Sequence, residues 1–174
     1  ITEDFGLEKD GYFLFLGRLV PEKGIHYLIE AFHRLDVDKK LVIAGGASDT
    51  DAYARELKEL AGEDKRILFT GFVQGQILEE LYSNAYVYVL PSDVEGMPLS
   101  LLEAMSYGNC CLTSDIPECT EVIEDRGVTF RKSVIHKLAE AMRLTPEEVY
   151  LQQVLNVGNN FTPMCVREQD VERF

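Results

Sequence analysis

The chain is 174 residues long, with 46% hydrophobic and 27% charged residues, the balance of one ordinary globular domain. Seventeen Lys and Arg against thirty Asp and Glu leave a net charge of −13 with no basic run, which argues against a nucleic-acid partner. The longest apolar runs, residues 12–16 and 86–90, fall far short of the roughly 20 residues needed to cross a bilayer.

The opening Ile1-Thr2-Glu3-Asp4 has neither an initiator Met nor a basic-then-apolar leader and reads as part of a longer protein. Residues 12–16 predict the first strand. After it, Ile25, Leu28, Ile29, Ala31, Phe32 and Leu35 share one arc at ~100° per residue and predict a helix that packs on a sheet. His26 and His33 fall on its other side, as solvated histidines rather than metal ligands. The loop between strand and helix, Gly17-Arg18-Leu19-Val20-Pro21-Glu22-Lys23-Gly24, puts a glycine at the strand exit and two cations five positions apart beside a helix amino terminus. Two readings stand there. It is an anion cradle in which Arg18 and Lys23 grip successive phosphates, or a solvated loop whose cations pair with the surplus carboxylates. Neither G-x-G-x-x-G nor G-x-x-x-x-G-K-[ST] occurs, so dehydrogenase and P-loop readings lose ground.

Strands follow at 41–44, ending in Gly45-Gly46, and at 67–69, ending in Thr70-Gly71-Phe72-Val73, with helices near 51–61 and 76–84. Glycines at such exits admit a ligand or simply make a turn. The fourth strand, 86–90, leads into Pro91-Ser92-Asp93-Val94-Glu95-Gly96-Met97-Pro98-Leu99, and a helix near 98–107 carries Glu103 eight positions beyond Glu95. Backbone donors at Gly96, Met97 and Leu99 can meet an anion or a sugar hydroxyl. The wheel predicts a buried stripe of Leu101, Leu102 and Met105, with Glu103 at its border. Such a carboxylate clamps a vicinal diol, which offers two donors, or pairs with a lysine. Strands at 110–112 and 127–130 and helices near 117–124 and 135–144 complete the pattern; residues 152–174 match no element.

Cys110, Cys111, Cys119 and Cys165 show no C-x-x-C spacing and read as buried reduced thiols, as in a cytoplasmic protein. Continuous apolar strands alternating with amphipathic helices predict one Rossmann-like, doubly wound α/β domain with a six-stranded, mainly parallel sheet.

The motif set Phe15-Leu-Gly-Arg-Leu19 with Lys23-Gly24, Thr70-Gly-Phe-Val73, Leu90-Pro-Ser92, Glu95-x7-Glu103 with Ala104-Met105, and Ser114-Asp-Ile-Pro-Glu118 with Glu121-Val-Ile123 resembles the carboxyl-terminal, donor-binding domain of family 4 (group 1) retaining glycosyltransferases of the GT-B fold. The likeness spans residues 12–130. It implies that residues 1–174 form the nucleotide-sugar-binding half of an enzyme whose amino-terminal acceptor domain is absent. That enzyme would move a hexosyl unit from a nucleoside diphosphate sugar to an acceptor hydroxyl.

Arg18 and Lys23 would bind the diphosphate and Glu95 would face the sugar. Gly17, Gly96, Met97, Pro98 and Leu99 would line the sugar-phosphate, Phe72 and Val73 would meet the base, and Glu103 would hold the ribose. No metal or other cofactor is required, because the two cations supply the countercharge. The acceptor would be a carbohydrate or glycolipid, with polysaccharide assembly at the cytoplasmic membrane face, and this chain alone would bind nucleotide without transferring sugar.

Met97-Pro98 in place of Phe-Gly, Asn109-Cys110 in place of Gly-x-Pro, Tyr86 in place of Asp and the short Gly45-Gly46 turn depart from the family pattern. Other readings remain at this point: a GT-B phosphorylase or nucleotide-sugar epimerase, or a non-catalytic nucleotide-binding or interaction module.

Overall fold

The computed structural model describes residues 5–46 and 51–143. Six strands, β1 (Tyr12–Leu16), β2 (Lys40–Ala44), β3 (Ile67–Gly71), β4 (Val87–Leu90), β5 (Cys111–Ser114) and β6 (Val128–Phe130), make one sheet in the order β3-β2-β1-β4-β5-β6. Every pairing is parallel, so the mainly parallel expectation becomes a wholly parallel sheet. Between the strands run α1 (Ile25–Phe32), α2 (Asp51–Ala61), α3 (Gln76–Asn84), α4 (Leu99–Ser106) and α5 (Pro117–Ile123), and α6 (Ile135–Met142) follows β6.

The central strands have no solvent face. Phe13 to Phe15 of β1 and all of β4 are buried, because helices cover both sides of the sheet. From α1, Ile25, Leu28, Ile29, Ala31 and Phe32 enter the core as the wheel predicts, and fully burying each of the larger side chains contributes roughly 1.5–3 kcal/mol of transfer free energy. The helix ends at Phe32, yet Leu35 beyond it is buried too.

Two expectations are corrected. On α4 the core-facing residues are Leu101 and Ala104, with Met105 half-buried, whereas Leu102 is 42% exposed. The helix touches the sheet along a narrow i, i+3 seam, which leaves Leu102 and Glu103 outside it. His26 is not simply solvated: its ring lies 3.9 Å from that of Tyr27, and Nδ1 stands 2.8 Å from the Tyr53 hydroxyl.

Cys110, Cys111 and Cys119 are buried. Burial pushes the Cys119 thiol up to about 12, which leaves it protonated and inert at neutral pH. Cys165, Leu144 and the segment 152–174 lie outside the described residues. No helix among the described residues is long and apolar enough to cross a membrane.

The strand order fixes where a ligand can sit. From β1 the chain moves outward to β2 and β3, whereas from β4 it moves the opposite way to β5 and β6. The loops leaving β1 and β4 therefore emerge beside one another at the carboxyl edge of adjacent strands, the switch point at which open α/β sheets bind ligands in a crevice.

Candidate functional site

The loop after β1 is set by backbone contacts. Gly17 N–H donates to Ala44 O at 3.0 Å and Leu19 N–H to Gly46 O at 3.1 Å, while Gly45 N–H donates to Gly71 O at 2.9 Å. Gly45 lies so close to the Gly17 carbonyl that a Cβ there would overlap it. The three glycine-bearing exits are thus laced together. Beyond them Pro21–Lys23 form a single 3-10 turn, and Gly24, at φ +66°, ends that turn and begins α1. A side chain at Gly24 would collide with the Pro91 carbonyl, so the loops after β1 and β4 meet backbone to backbone. Asp93 N–H donates to Glu22 O at 2.8 Å across the same seam.

That contact brings Lys23 to Glu95. Lys23 Nζ lies 2.6 Å from Glu95 Oε1 and 2.7 Å from Oε2, with only 15% and 4% of the two side chains exposed. Ser92 Oγ donates to Glu95 Oε1 at 2.6 Å, and Ser114 Oγ at the end of β5 donates to the Ser92 carbonyl at 2.5 Å. Glu95 is consequently held from two sides, by a cation from the β1 loop and a hydroxyl anchored through β5. An ammonium has three donors and a carboxylate about four acceptor sites, so both groups retain capacity toward a ligand in the crevice.

Asp93 ties in the remaining strands. Its carboxylate accepts from the Ser133 hydroxyl at 2.6 Å and from the Tyr27 hydroxyl at 3.3 Å, which links the turns after β4 and β6 to α1. Nothing in the local sequence marks this role, because both partners are distant in the chain.

Glu103 is exposed on α4 and makes no ion pair among the described residues; its side-chain partner is the buried Tyr82, whose hydroxyl donates to Oε2 at 3.0 Å. Ser100 on the first turn of the same helix touches the Tyr88 hydroxyl at 2.8 Å, and that hydroxyl lies 3.3 Å from Leu16 O at the β1 exit. Arg18 is exposed on the β1 loop with no side-chain partner among the described residues.

The other candidates line the same edge. Phe72 (73% exposed), Met97 (70%) and Leu99 (61%) project into solvent, a costly arrangement for large apolar side chains unless something covers them. Val73 is half-buried, Pro98 is buried, and Gly17 and Gly96 leave backbone accessible. Gly96 and Met97 N–H have no partner among the described residues, whereas Leu99 N–H, expected as a ligand donor, is donated within the turn to Met97 O at 2.9 Å.

Taken together, the loops after β1 and β4 bring Lys23, Glu95 and the free N–H groups of Gly96 and Met97 to one edge of the sheet, a set suited to a ligand with both anionic and hydroxyl groups.

Comparison with known proteins gives the family. Residues 2–150 match the family model described as glycosyl transferases group 1. An uncharacterised glycosyltransferase of Methanocaldococcus jannaschii is 39% identical over 113 residues, 64% of this chain and 29% of that protein. The O-antigen chain mannosyltransferase B of Escherichia coli is 30% identical over 132 residues, 74% of this chain and 35% of that protein. The chain thus spans about a third of the length of these relatives.

Among solved structures, Anabaena HepE in complex with UDP and glucose superposes with a TM-score of 0.72 at 23% identity, covering 80% of this chain and 39% of that one. A glycosyltransferase from Rickettsia africae gives 0.76 at 19% identity, covering 99% and 44%. At these identities the superpositions speak to the fold, which is that of one α/β half of a GT-B glycosyltransferase.

Proposed function

The chain belongs to the group 1 glycosyl transferases, and from that premise we propose that it is the donor-binding domain of a retaining enzyme that moves a hexosyl unit from a nucleoside diphosphate sugar to an acceptor hydroxyl. The observation that carries the reading is the meeting of Lys23 with Glu95 at the point where the strand order reverses. A cation for the diphosphate and an acid for the sugar then stand side by side, at the two ends of the bond to be broken.

As that bond breaks, negative charge grows on the leaving diphosphate while the sugar ring becomes oxocarbenium-like. Arg18 and Lys23, with the unpaired N–H groups of Gly96 and Met97, oppose the first charge; Lys23 is already held beside Glu95, whereas the exposed Arg18 closes on the ligand. This reading needs no metal. Glu95 holds a sugar hydroxyl through its remaining lone pairs. Its carboxylate is already engaged by Lys23 and Ser92, which suits positioning better than nucleophilic attack. Glu103 accepts the two ribose hydroxyls, main chain at Phe72 and Val73 meets the base, and backbone from Gly17 and from Gly96 to Leu99 follows the sugar-phosphate.

In our reading the acceptor site lies on a further domain and serves a carbohydrate or glycolipid acceptor at the cytoplasmic membrane surface; the greater length of the relatives supports the division. HepE, solved with UDP and glucose, makes UDP the first donor nucleotide to try.

Calorimetric titration of the chain with UDP, GDP and ADP tests the proposal. One of them should bind, and Arg18→Ala should weaken it about tenfold, as expected for loss of a charged hydrogen bond. No heat with any of the three would leave only a non-catalytic module. Hexose transfer by this chain alone, at a rate like that of a whole enzyme, would refute the division of labour.

A further inference from the structure

We propose that the Tyr82 hydroxyl anchors Glu103 in the pose that accepts the ribose, so that Tyr82 is a positioning residue for ribonucleotide recognition; this rests on the ribose reading of Glu103. The first observation is the contact itself. Tyr82, near the end of α3, is 1% exposed, and its hydroxyl donates to Glu103 Oε2 at 3.0 Å on α4. The Ser100 carbonyl lies farther off, at 3.3 Å. For folding alone that carbonyl would satisfy the one phenolic proton; the shorter approach is to the charged acceptor.

The second observation is how firmly the donor is held. The Tyr82 ring stacks on Tyr107, centroids 5.2 Å apart and 12° from parallel, and tilts against Tyr88 at 6.0 Å. An aromatic ring clamped between two others places its oxygen with little freedom. Burial and the neighbouring carboxylate raise the phenol far above its ordinary range, so it remains a donor at every working pH.

The third observation is the state of Glu103. It is exposed and without an ion pair among the described residues, and an exposed glutamate normally samples many rotamers. Tethering Oε2 to Tyr82 leaves Oε1 and the outer lone pair of Oε2 for two hydroxyl donors, the pattern a vicinal diol presents. The first turn of α4 is also tied through Ser100 and Tyr88 to Leu16, at the exit of the strand that leads to Arg18. Ribose and diphosphate subsites are thereby kept in one register.

The test compares UDP, GDP and ADP with their 2′-deoxy counterparts in wild-type chain, Tyr82→Phe and Glu103→Gln, by titration calorimetry. Tyr82→Phe removes one oxygen and leaves the ring between Tyr107 and Tyr88, and a thermal melt checks that it folds. Wild type should prefer the ribonucleotide. Tyr82→Phe should weaken the ribonucleotide about 3- to 10-fold, the scale of one hydrogen bond, while leaving the deoxynucleotide within about twofold.

Equal weakening of both nucleotides, or no change in either, would make Tyr82 structural and overturn the proposal. If Glu103→Gln abolishes the preference and Tyr82→Phe keeps it, the ribose reading stands and the anchor alone fails. A wild type that does not distinguish ribose from deoxyribose, or binds neither, removes the ribose reading and the anchor with it. Should Tyr82→Phe fold but prove too unstable for titration, its melting loss is compared in the wild-type and Glu103→Gln backgrounds. A melting loss equal in both backgrounds means that Tyr82 does not act through Glu103.

Discussion

Lys23 and Glu95 are 72 positions apart in the chain and 2.6 Å apart in space, with most of both side chains withdrawn from water. Removing one member of such a pair leaves the other buried and uncompensated, whereas removing both can be nearly neutral. Lys23→Met should therefore cost about 3 kcal/mol of stability in urea unfolding, and Lys23→Met with Glu95→Leu should recover more than half of it. Nucleotide affinity should stay low in both, because the proposed diphosphate site keeps only Arg18 of its two cations. Additive losses in the double variant would show that the two charges do not depend on each other. The residue types of this pair were legible in the sequence, and so was the loop to which each belongs. Their direct contact was not, since it depends on the reversal of strand order that makes β1 and β4 neighbours. Tyr82 was hidden more deeply: it lies 21 positions before Glu103 inside a segment that reads as ordinary amphipathic helix.

The periodic elements were the most readable. Continuous apolar runs gave all six strands, and α1 buries five of the six residues that its wheel selects, the sixth, Leu35, being buried just beyond the helix end. The wheel misplaced Leu102 on α4, because eight residues of mixed apolar character do not reveal how narrow a seam the sheet offers. Turns between elements were less readable, and the one before β3 is an example. Asp64 Oδ1 accepts from Arg66 N and Nε at 3.0 Å each, and Oδ2 from Nη2 at 2.7 Å. Arg66 reaches on to the Leu35 carbonyl at 3.0 Å and lies over the Phe32 ring at 4.8 Å, closing the end of α1 onto β3. The Arg66 guanidinium holds the Asp64 carboxyl below its ordinary range. A carboxylate depressed in the folded state stabilises above its unfolded pKa of about 4, and that stabilisation is lost as pH falls through the lower folded value. Asp64→Asn should accordingly be less stable than wild type by a constant margin above about pH 5, and the margin should close on acidification below about pH 4. Both partners are partly exposed, so the margin is about 1 kcal/mol at most. Denaturant midpoints across pH 2.5–7, roughly the span of carboxylate titration, measure it; a margin that widens in acid would reverse the assignment.

At the scale of the whole molecule the site works against its own protein. A chain of net charge −13 repels a nucleoside diphosphate at long range, while in the role proposed for them Arg18 and Lys23 attract it at contact. Ionic strength separates the two, because it sets how much of the molecule an approaching anion senses. At about 0.01 M salt the screening length is roughly 30 Å and the ligand meets the full acidic surface; at about 0.15 M it is roughly 8 Å, and the nearby cations dominate. Near 1 M, at roughly 3 Å, the exposed Arg18 is screened as well, though Lys23, 15% exposed, less so. The association rate of UDP, or of whichever diphosphate binds, should therefore rise from low to intermediate salt and fall again at high salt. Arg18→Gln should lower the crest and move it to higher salt, since less local attraction remains to offset the repulsion. Stopped-flow binding over that range reads the curve directly. A rate that falls steadily with added salt would mean that the cations govern approach from far outside the crevice, and that the acidic surface is arranged to stay out of their way.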